Sequence, residues 1–268
     1  MHFSGADGEN TRELIDYLDT ATRNSMEHKR ATYAAQRLSQ GMRVLDIGCG
    51  TGDDVRAISE LVGSQGSVTG TDSNPAMIEE AVTRGVPANV GFTVADAAQL
   101  PFGDDSFDAV RAERVFQHMA SPQLAADELH RVLAPGGTAL LLDQDWESLI
   151  VAGASRTITR RIVRAFVDHL ANGWAGREAR GLLARAGFTS VSSVPFVSMP
   201  SLPLAFETVL QPAMHAALRD GSVDSEGART WLQALLEADL RGEFFCAVLV
   251  VVTVGSIARV GGEAPESA

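Results

Sequence analysis

The chain is poor in the residues that mark a metal centre, a disulfide framework or a membrane span. Only two of its 268 residues are cysteine, Cys49 and Cys246. They form no Cys-x-x-Cys pair and join no histidine cluster, which argues against a zinc site or a disulfide scaffold. The longest apolar run, residues 244–252, falls far short of the roughly 20 residues a spanning helix needs. No apolar leader follows the polar N-terminus. Nor is there an excess of basic residues: the net charge is −12, which disfavours non-specific binding to nucleic acid. No internal repeat or low-complexity linker divides the chain. These absences lead us to expect a soluble cytoplasmic protein.

What the chain does have is an apolar share of 45%, enough for a sizeable core in one domain with an insertion. Its organising stretch is residues 43–52, Arg-Val-Leu-Asp-Ile-Gly-Cys-Gly-Thr-Gly. Val44, Leu45 and Ile47 suit a short buried strand. Gly48, Gly50 and Gly52 then remove side chains where a ligand would approach the backbone. Val55, Ile58, Leu61 and Val62 follow at helical spacing, so a helix N-terminus faces the loop. A strand, loop and helix of this kind commonly hold a nucleotide-like ligand.

Residues 10–38 contain no proline or glycine and read as one or two helices. A second strand is expected over 67–71, ending in Asp72, and Asn74-Pro75 opens a helix burying Met77, Ile78, Ala81 and Val82. A third strand spans 90–95 and ends in Asp96; a fourth spans 107–112. Ser121-Pro122 reads as the cap and first turn of a helix with Leu124, Ala125, Leu129, Val132 and Leu133 inward. Pro135-Gly136-Gly137 ends it, and a fifth strand over 138–142 leads into a turn at 143–146. Residues 156–170 and 178–186 read as helices, and 190–197 as strand six, weakened by Pro195. Two helical stretches around 206–218 and 228–236, kinked at Pro212, precede a last strand over 243–254 that is too apolar for a sheet edge. Strands alternating with helices predict an α/β, doubly wound, Rossmann-like sheet with ligands at the carboxyl ends of its strands. The expected division is an N-terminal helical segment or lid at 1–40, a core at 41–198, a helical cap at 199–241, a final core strand at 242–256 and a disordered tail at 257–268.

Asp46, Asp72 and Asp96 all fall at strand ends on that edge. A dinucleotide fingerprint would need a third glycine at position 53, which is Asp53, and a phosphate loop would need Gly-Lys-Ser/Thr. With no lysine or arginine in the loop, the acidic surroundings suit a ligand carrying hydroxyls and a positive charge. Asp72 can accept from a ribose diol, Asp96 from an adenine amine, and Asp46 can lie beside an ammonium or sulfonium. A nicotinamide oxidoreductase is disfavoured on the same grounds.

The blocks at 44–52, Gly70-Thr71-Asp72-Ser73, Ala95-Asp96-Ala97, 100–108 and 131–137 resemble the class I S-adenosylmethionine-dependent methyltransferases. The closest flavour is the ubiquinone/menaquinone biosynthesis C-methyltransferase group. The resemblance covers residues 43–143 and fades outside them. It implies a seven-stranded sheet with the last strand antiparallel, and S-adenosylmethionine as cofactor. It places Gly48, Gly50 and Gly52 beneath the methionine moiety and Asp72 on the ribose. Asp96 and Ala97 would hold the adenine, with Ser73 and Met77 packed near it. Asp46 would orient the amino-acid end, and Glu113 and Arg114 would border the sulfonium. No metal ligand set is expected. His118 is a candidate base toward the acceptor, with Asp145 and Trp146 as candidate acceptor contacts. The implied partner is a small-molecule methyl acceptor, with neither nucleic acid nor membrane. The apolar cap can serve as a lid over that acceptor or as the face of a homodimer. The residues leave transfer to oxygen, nitrogen or carbon open. They also leave open a protein that binds S-adenosylmethionine without methylating, for a pericyclic or hydrolytic reaction. RNA and protein acceptors are disfavoured because Ala112-Glu113-Arg114-Val115 stands where an Asn/Asp-Pro-Pro-Tyr motif would be.

Overall fold

The computed structural model describes residues 32–258. Its strands are β1 (Arg43–Ile47), β2 (Ser67–Asp72), β3 (Val90–Val94), β4 (Phe107–Glu113), β5 (Leu133–Ala152), β6 (Ser190–Ser198) and β7 (Phe245–Ser256). They form one sheet in the order β3-β2-β1-β4-β5-β7-β6. β1 to β5 pair in parallel, and β7 runs antiparallel between β5 and β6. This is the doubly wound, seven-stranded class expected. The apolar β7 sits inside the sheet, where both its faces can be covered. β6 is an edge strand, the position that tolerates Pro195.

Helices α1 (Asp53–Val62), α2 (Pro75–Thr83) and α3 (Pro122–Val132) connect the parallel strands. One sheet face carries Leu45, Ile47, Val110, Ala112, Ala139 and Leu141 against α3 and against α5 (Ala175–Arg185). The other buries Val44, Val68 and Ala109 against Val55, Ile58 and Val62 of α1. Asn74 caps α2 by accepting from the Ala76 N–H, with Pro75 at the first position. Ser121 makes no such cap, contrary to expectation. Leu124 is 55% exposed, because the buried face of α3 is Ala125, Ala126, Leu129 and Val132. Leu133 already belongs to β5.

The largest departure is the length of β5. It does not turn at 143–146 but continues to Ala152, still paired with β7 as far as Ala152↔Phe245 across a register shift after Asp145. Its last rung with β4 is Glu113↔Leu142, and beyond it ten residues of β5 run against seven of β7, an extension of about 23 Å at strand rise. Helix α4 (Arg156–His169) and the segment Leu202–Ala205 (α6), Phe206–Leu210 (a π-helical turn), Gln211–Arg219 (α7) and Ser225–Leu240 (α8) pack on this two-stranded extension. The kink expected at Pro212 is that π turn, immediately N-terminal to α7. Trp146, Leu149, Ile162, Phe166, Val209 and Trp231 share one apolar cluster, so α4 packs with the 199–241 helices.

Of the expected N-terminal helices, residues 1–31 lie outside the described residues, as do 259–268 of the tail. A helical turn at 32–35 remains, packed on the sheet through Tyr33 and a Gln36 Nε2–H bond to the Val110 carbonyl at 2.7 Å.

Candidate functional site

The glycine loop joins β1 to α1 at the carboxyl edge. Gly48, Gly50 and Gly52 all adopt left-handed backbone, with φ of 66°, 52° and 81°. A Cβ at Gly48 would lie 2.5 Å from Val115 Cγ2, and one at Gly52 2.7 Å from Phe92. The loop therefore needs glycine both for its turn and for its closeness to the segment after β4 and to β3 itself. Asp72 ties it to β2: Oδ2 accepts from the Gly50 N–H at 3.0 Å and Oδ1 from the Asn74 N–H at 2.9 Å. Burial raises the Asp72 pKa, and these two backbone bonds oppose that rise. Each oxygen keeps lone-pair capacity toward the open side. Cys49 in the same loop is half-buried, and desolvation with Asp46 and Asp72 nearby pushes its thiol pKa upward, which suits a packing residue rather than a nucleophile.

At the tip of β3, Asp96 is exposed and accepts from the Ala98 N–H at 2.9 Å, while Ala97 is buried in the core beneath it. Ser73 is exposed beside Asp72, and Met77 is fully buried on α2.

Sequence reasoning missed Arg111. It lies in β4 opposite Asp46 in β1, and its guanidinium is fully withdrawn from solvent. Its nitrogens lie 3.3 Å from Asp46, 3.6 Å from Asp54 and 2.9 Å from Glu113. The guanidinium stacks over Tyr33 at 4.8 Å, and the Tyr33 hydroxyl donates to Asp54. Arg56 of α1 donates to Asp53 at 2.9 Å and to the Thr51 carbonyl at 2.5 Å. The acidic cluster is thus not uncompensated, as the loop sequence alone suggests: two arginines outside the loop reach into it. Asp46 and Glu113 are held by Arg111 before any ligand arrives.

Beyond β4, Arg114 has left-handed backbone at φ 58° and its N–H donates to the Leu142 carbonyl at 2.7 Å. A short 3-10 turn, Phe116–His118, follows. Gln117 is its hub. Its Oε1 receives the Trp146 indole N–H at 2.6 Å, and its Nε2 lies 3.1 Å from His118 Nε2 and 3.3 Å from the Arg114 carbonyl. The Gln117 N–H donates to Asp143 Oδ1 at 3.2 Å. Asp143 is buried, its Oδ2 has no partner among the described residues, and burial pushes its pKa up to about 8.

Asp145 and Trp146 do not lie in a solvated turn. Asp145 is buried and receives two N–H bonds from Arg177, at 2.6 and 2.7 Å. Trp146 is buried edge-on against Phe166. Asp145 pairs with Leu249 of β7 just before the register shift, and the Trp146 N–H bonds to the Gly173 carbonyl at 3.0 Å, so both side chains turn into protein. His118 remains exposed.

The donor set fits a nucleoside with a cationic tail. Asp72 offers acceptors toward a diol, Thr71 has a buried hydroxyl unpartnered among the described residues, and the glycine backbone leaves room for close approach. Two hollows lie elsewhere. One, of about 530 Å³, separates the β5 extension from α4; the other, of about 640 Å³, lies over β6 and β7 beside Gln36.

A family profile described as a methyltransferase domain matches residues 44–137. An uncharacterized 37.1 kDa protein in transposon TN4556 of Streptomyces fradiae is 33% identical over 247 residues, covering 90% of this chain and 70% of that protein. The ubiquinone/menaquinone biosynthesis C-methyltransferase UbiE of Cellvibrio japonicus is 38% identical over 119 residues, covering 43% of this chain and 48% of its own. The match thus spans about half the length of that relative. Among solved structures, the YcgJ protein from Bacillus subtilis shares the fold with a TM-score of 0.60 at 20% identity, covering 87% of this chain and 99% of that one.

Proposed function

The chain belongs to the class I S-adenosylmethionine-dependent methyltransferases, and from that premise we propose that it methylates an oxygen, nitrogen or carbon nucleophile of a small, largely apolar molecule, aromatic or polyketide-like in character. The observation that carries the reading is the apolar lobe of α4 and α6 to α8, raised on the β5–β7 extension beyond the strand tips. An acceptor approaching those tips meets a surface backed by aliphatic and aromatic side chains.

In this reading the backbone of Gly48, Gly50 and Gly52 carries the amino-acid portion of S-adenosylmethionine, and Asp72 the ribose. Asp96 and Ala97 take the adenine, with Ser73 and Met77 beside it. Glu113 and Arg114 border the reacting end. Asp46 orients the amino-acid end jointly with Arg111, since the two are already paired. The turn at 32–35 buttresses this edge through Tyr33. When bound, the cofactor supplies an electrophilic methyl carbon on a sulfonium that departs as a neutral thioether, so no acid is needed. What remains for the chain is to hold the nucleophile in line and close to that carbon.

Calorimetric titration with S-adenosylmethionine, its demethylated product and NADH, followed by mass spectrometry over a panel of apolar phenols, amines and enols, tests the proposal. A methylated product is expected. Tight cofactor binding with no product across the panel would point to non-methylating use, and NADH binding without S-adenosylmethionine would sink both readings.

A further inference from the structure

His118 closes the short turn after β4, its N–H bonded to the carbonyl of Val115 at 3.0 Å, and Val115 is the side chain that a Cβ at Gly48 would meet. Its chemistry is set by its neighbours. An indole N–H can only donate. Trp146 Nε1–H therefore fixes the atom it meets, 2.6 Å away, as the Gln117 carbonyl oxygen. The Gln117 amide is then turned so that its NH2 group faces His118 Nε2 at 3.1 Å and the Arg114 carbonyl at 3.3 Å. The Arg114 carbonyl is likewise an acceptor only, which agrees with that orientation. An NH2 group facing a ring nitrogen requires a lone pair there. His118 Nε2 is thus an acceptor, and in the neutral ring the proton lies on Nδ1. Nδ1 has no protein partner among the described residues, and the side chain is exposed.

We propose that Trp146 and Gln117 are positioning residues that hold His118 as the neutral Nδ1–H tautomer, so that His118 donates a hydrogen bond to an oxygen of the methyl acceptor instead of removing a proton from it. The inference rests on the methyltransferase reading above and narrows it. The favoured acceptor carries a carbonyl, carboxylate or phenolate oxygen beside its nucleophile, and the nucleophile reaches the site without needing this base. Desolvation by the surrounding protein, although one edge of the ring is open, and the Arg114 cation both lower the His118 pKa, in keeping with a neutral ring. Of the carboxylates nearby, Asp143 is engaged by the Gln117 and Phe116 backbone N–H groups and Glu113 by Arg111.

The tautomer is read without turnover. Long-range proton–nitrogen correlation spectra of the ¹⁵N-labelled full chain, with His118→Gln to assign the signal, are expected to show a protonated Nδ1 and a bare Nε2 near neutral pH. Gln117→Glu replaces the NH2 by a carboxylate oxygen, so the ring should gain a proton on Nε2 and its pKa should rise. An Nε2–H tautomer in the native chain, or an unmoved signal in Gln117→Glu, would overturn the proposal. With an acceptor taken from the panel above, His118→Gln retains an N–H donor and is expected to keep most of kcat/KM, whereas His118→Phe loses about tenfold, the worth of one hydrogen bond. Equal loss in both, with disappearance of the acidic limb from the pH–rate profile, would restore the general base and end the donor role. Because cofactor binding is measured separately by calorimetry, failure of the tautomer is distinguishable from failure of the methyltransferase reading.

Discussion

Asp46 and Arg111 face each other across adjacent parallel strands, with the guanidinium Nε 3.3 Å from the carboxylate and both side chains shut off from solvent. Arg111 is the cation around which Asp46, Asp54 and Glu113 are gathered. Removing it leaves three carboxylates close together in a dry site. Arg111→Met is therefore expected to lose about 3–5 kcal/mol of stability, the usual result of stranding a buried charge. Urea unfolding checks this. A loss below about 1 kcal/mol would show that the acids simply protonate or rehydrate.

Gly48 combines φ 66° with a Cβ position 2.5 Å from Val115. Gly48→Ala should cost about 1–2 kcal/mol from backbone alone, in addition to the clash. Trimming the neighbour in Gly48→Ala/Val115→Ala should recover the clash but not the backbone strain. Thermal unfolding and S-adenosylmethionine titration of the three variants separate the two causes. Full recovery in the double variant would mean the loop does not depend on left-handed backbone.

Asp72→Ala should weaken S-adenosylmethionine binding by about 2–3 kcal/mol, the worth of two hydrogen bonds to a charged acceptor. Since burial raises the Asp72 pKa, the carboxylate protonates earlier on acidification than an ordinary aspartate. Cofactor affinity should therefore fall as the pH drops toward the acid range, and Asp72→Asn should flatten that fall. Calorimetry across pH reads both; an unchanged affinity in the alanine variant would remove the ribose role.

Burial pushes the Asp143 pKa up to about 8, from an ordinary carboxyl value of 3.8. Its contribution to stability is complete below the ordinary value and is lost as pH rises toward 8, because the unfolded chain ionises freely and the folded one does not. Asp143→Asn, which does not titrate, should therefore be more stable than the native chain at pH 8 by roughly 2–4 kcal/mol and nearly equal to it at pH 4. Denaturant curves at the two pH values decide it, and a pH-independent difference would contradict it.

Much of the candidate cofactor site is legible in the sequence because its signals are local. Val44, Leu45 and Ile47 sit next to their glycines, and Asp72 and Asp96 close strands whose apolar patterns precede them. Arg111 is hidden because its partners are remote in sequence: Asp46, Asp54 and Tyr33 meet it only through strand pairing and helix packing. The length of β5 is hidden for a similar reason. Asp143, Gln144 and Asp145 read as a polar strand end, yet Gln117 and Arg177 supply the partners that let Asp143 and Asp145 continue into protein. Leu124 misled in the opposite sense, since an apolar residue at helical spacing need not face the core.

The lobe on the β5–β7 extension draws its side chains from both sides of β6, and one of its two supporting strands is the last of the sheet. During synthesis, the parallel strands that carry the glycine loop and Asp72 emerge long before β7 does. On the reading proposed above, the half that binds the donor can begin to assemble while the half that chooses the acceptor is still waiting for its floor. On that reading donor binding precedes selectivity, and a released chain truncated after residue 244 should still bind S-adenosylmethionine yet leave Trp231 open to soluble fluorescence quenchers.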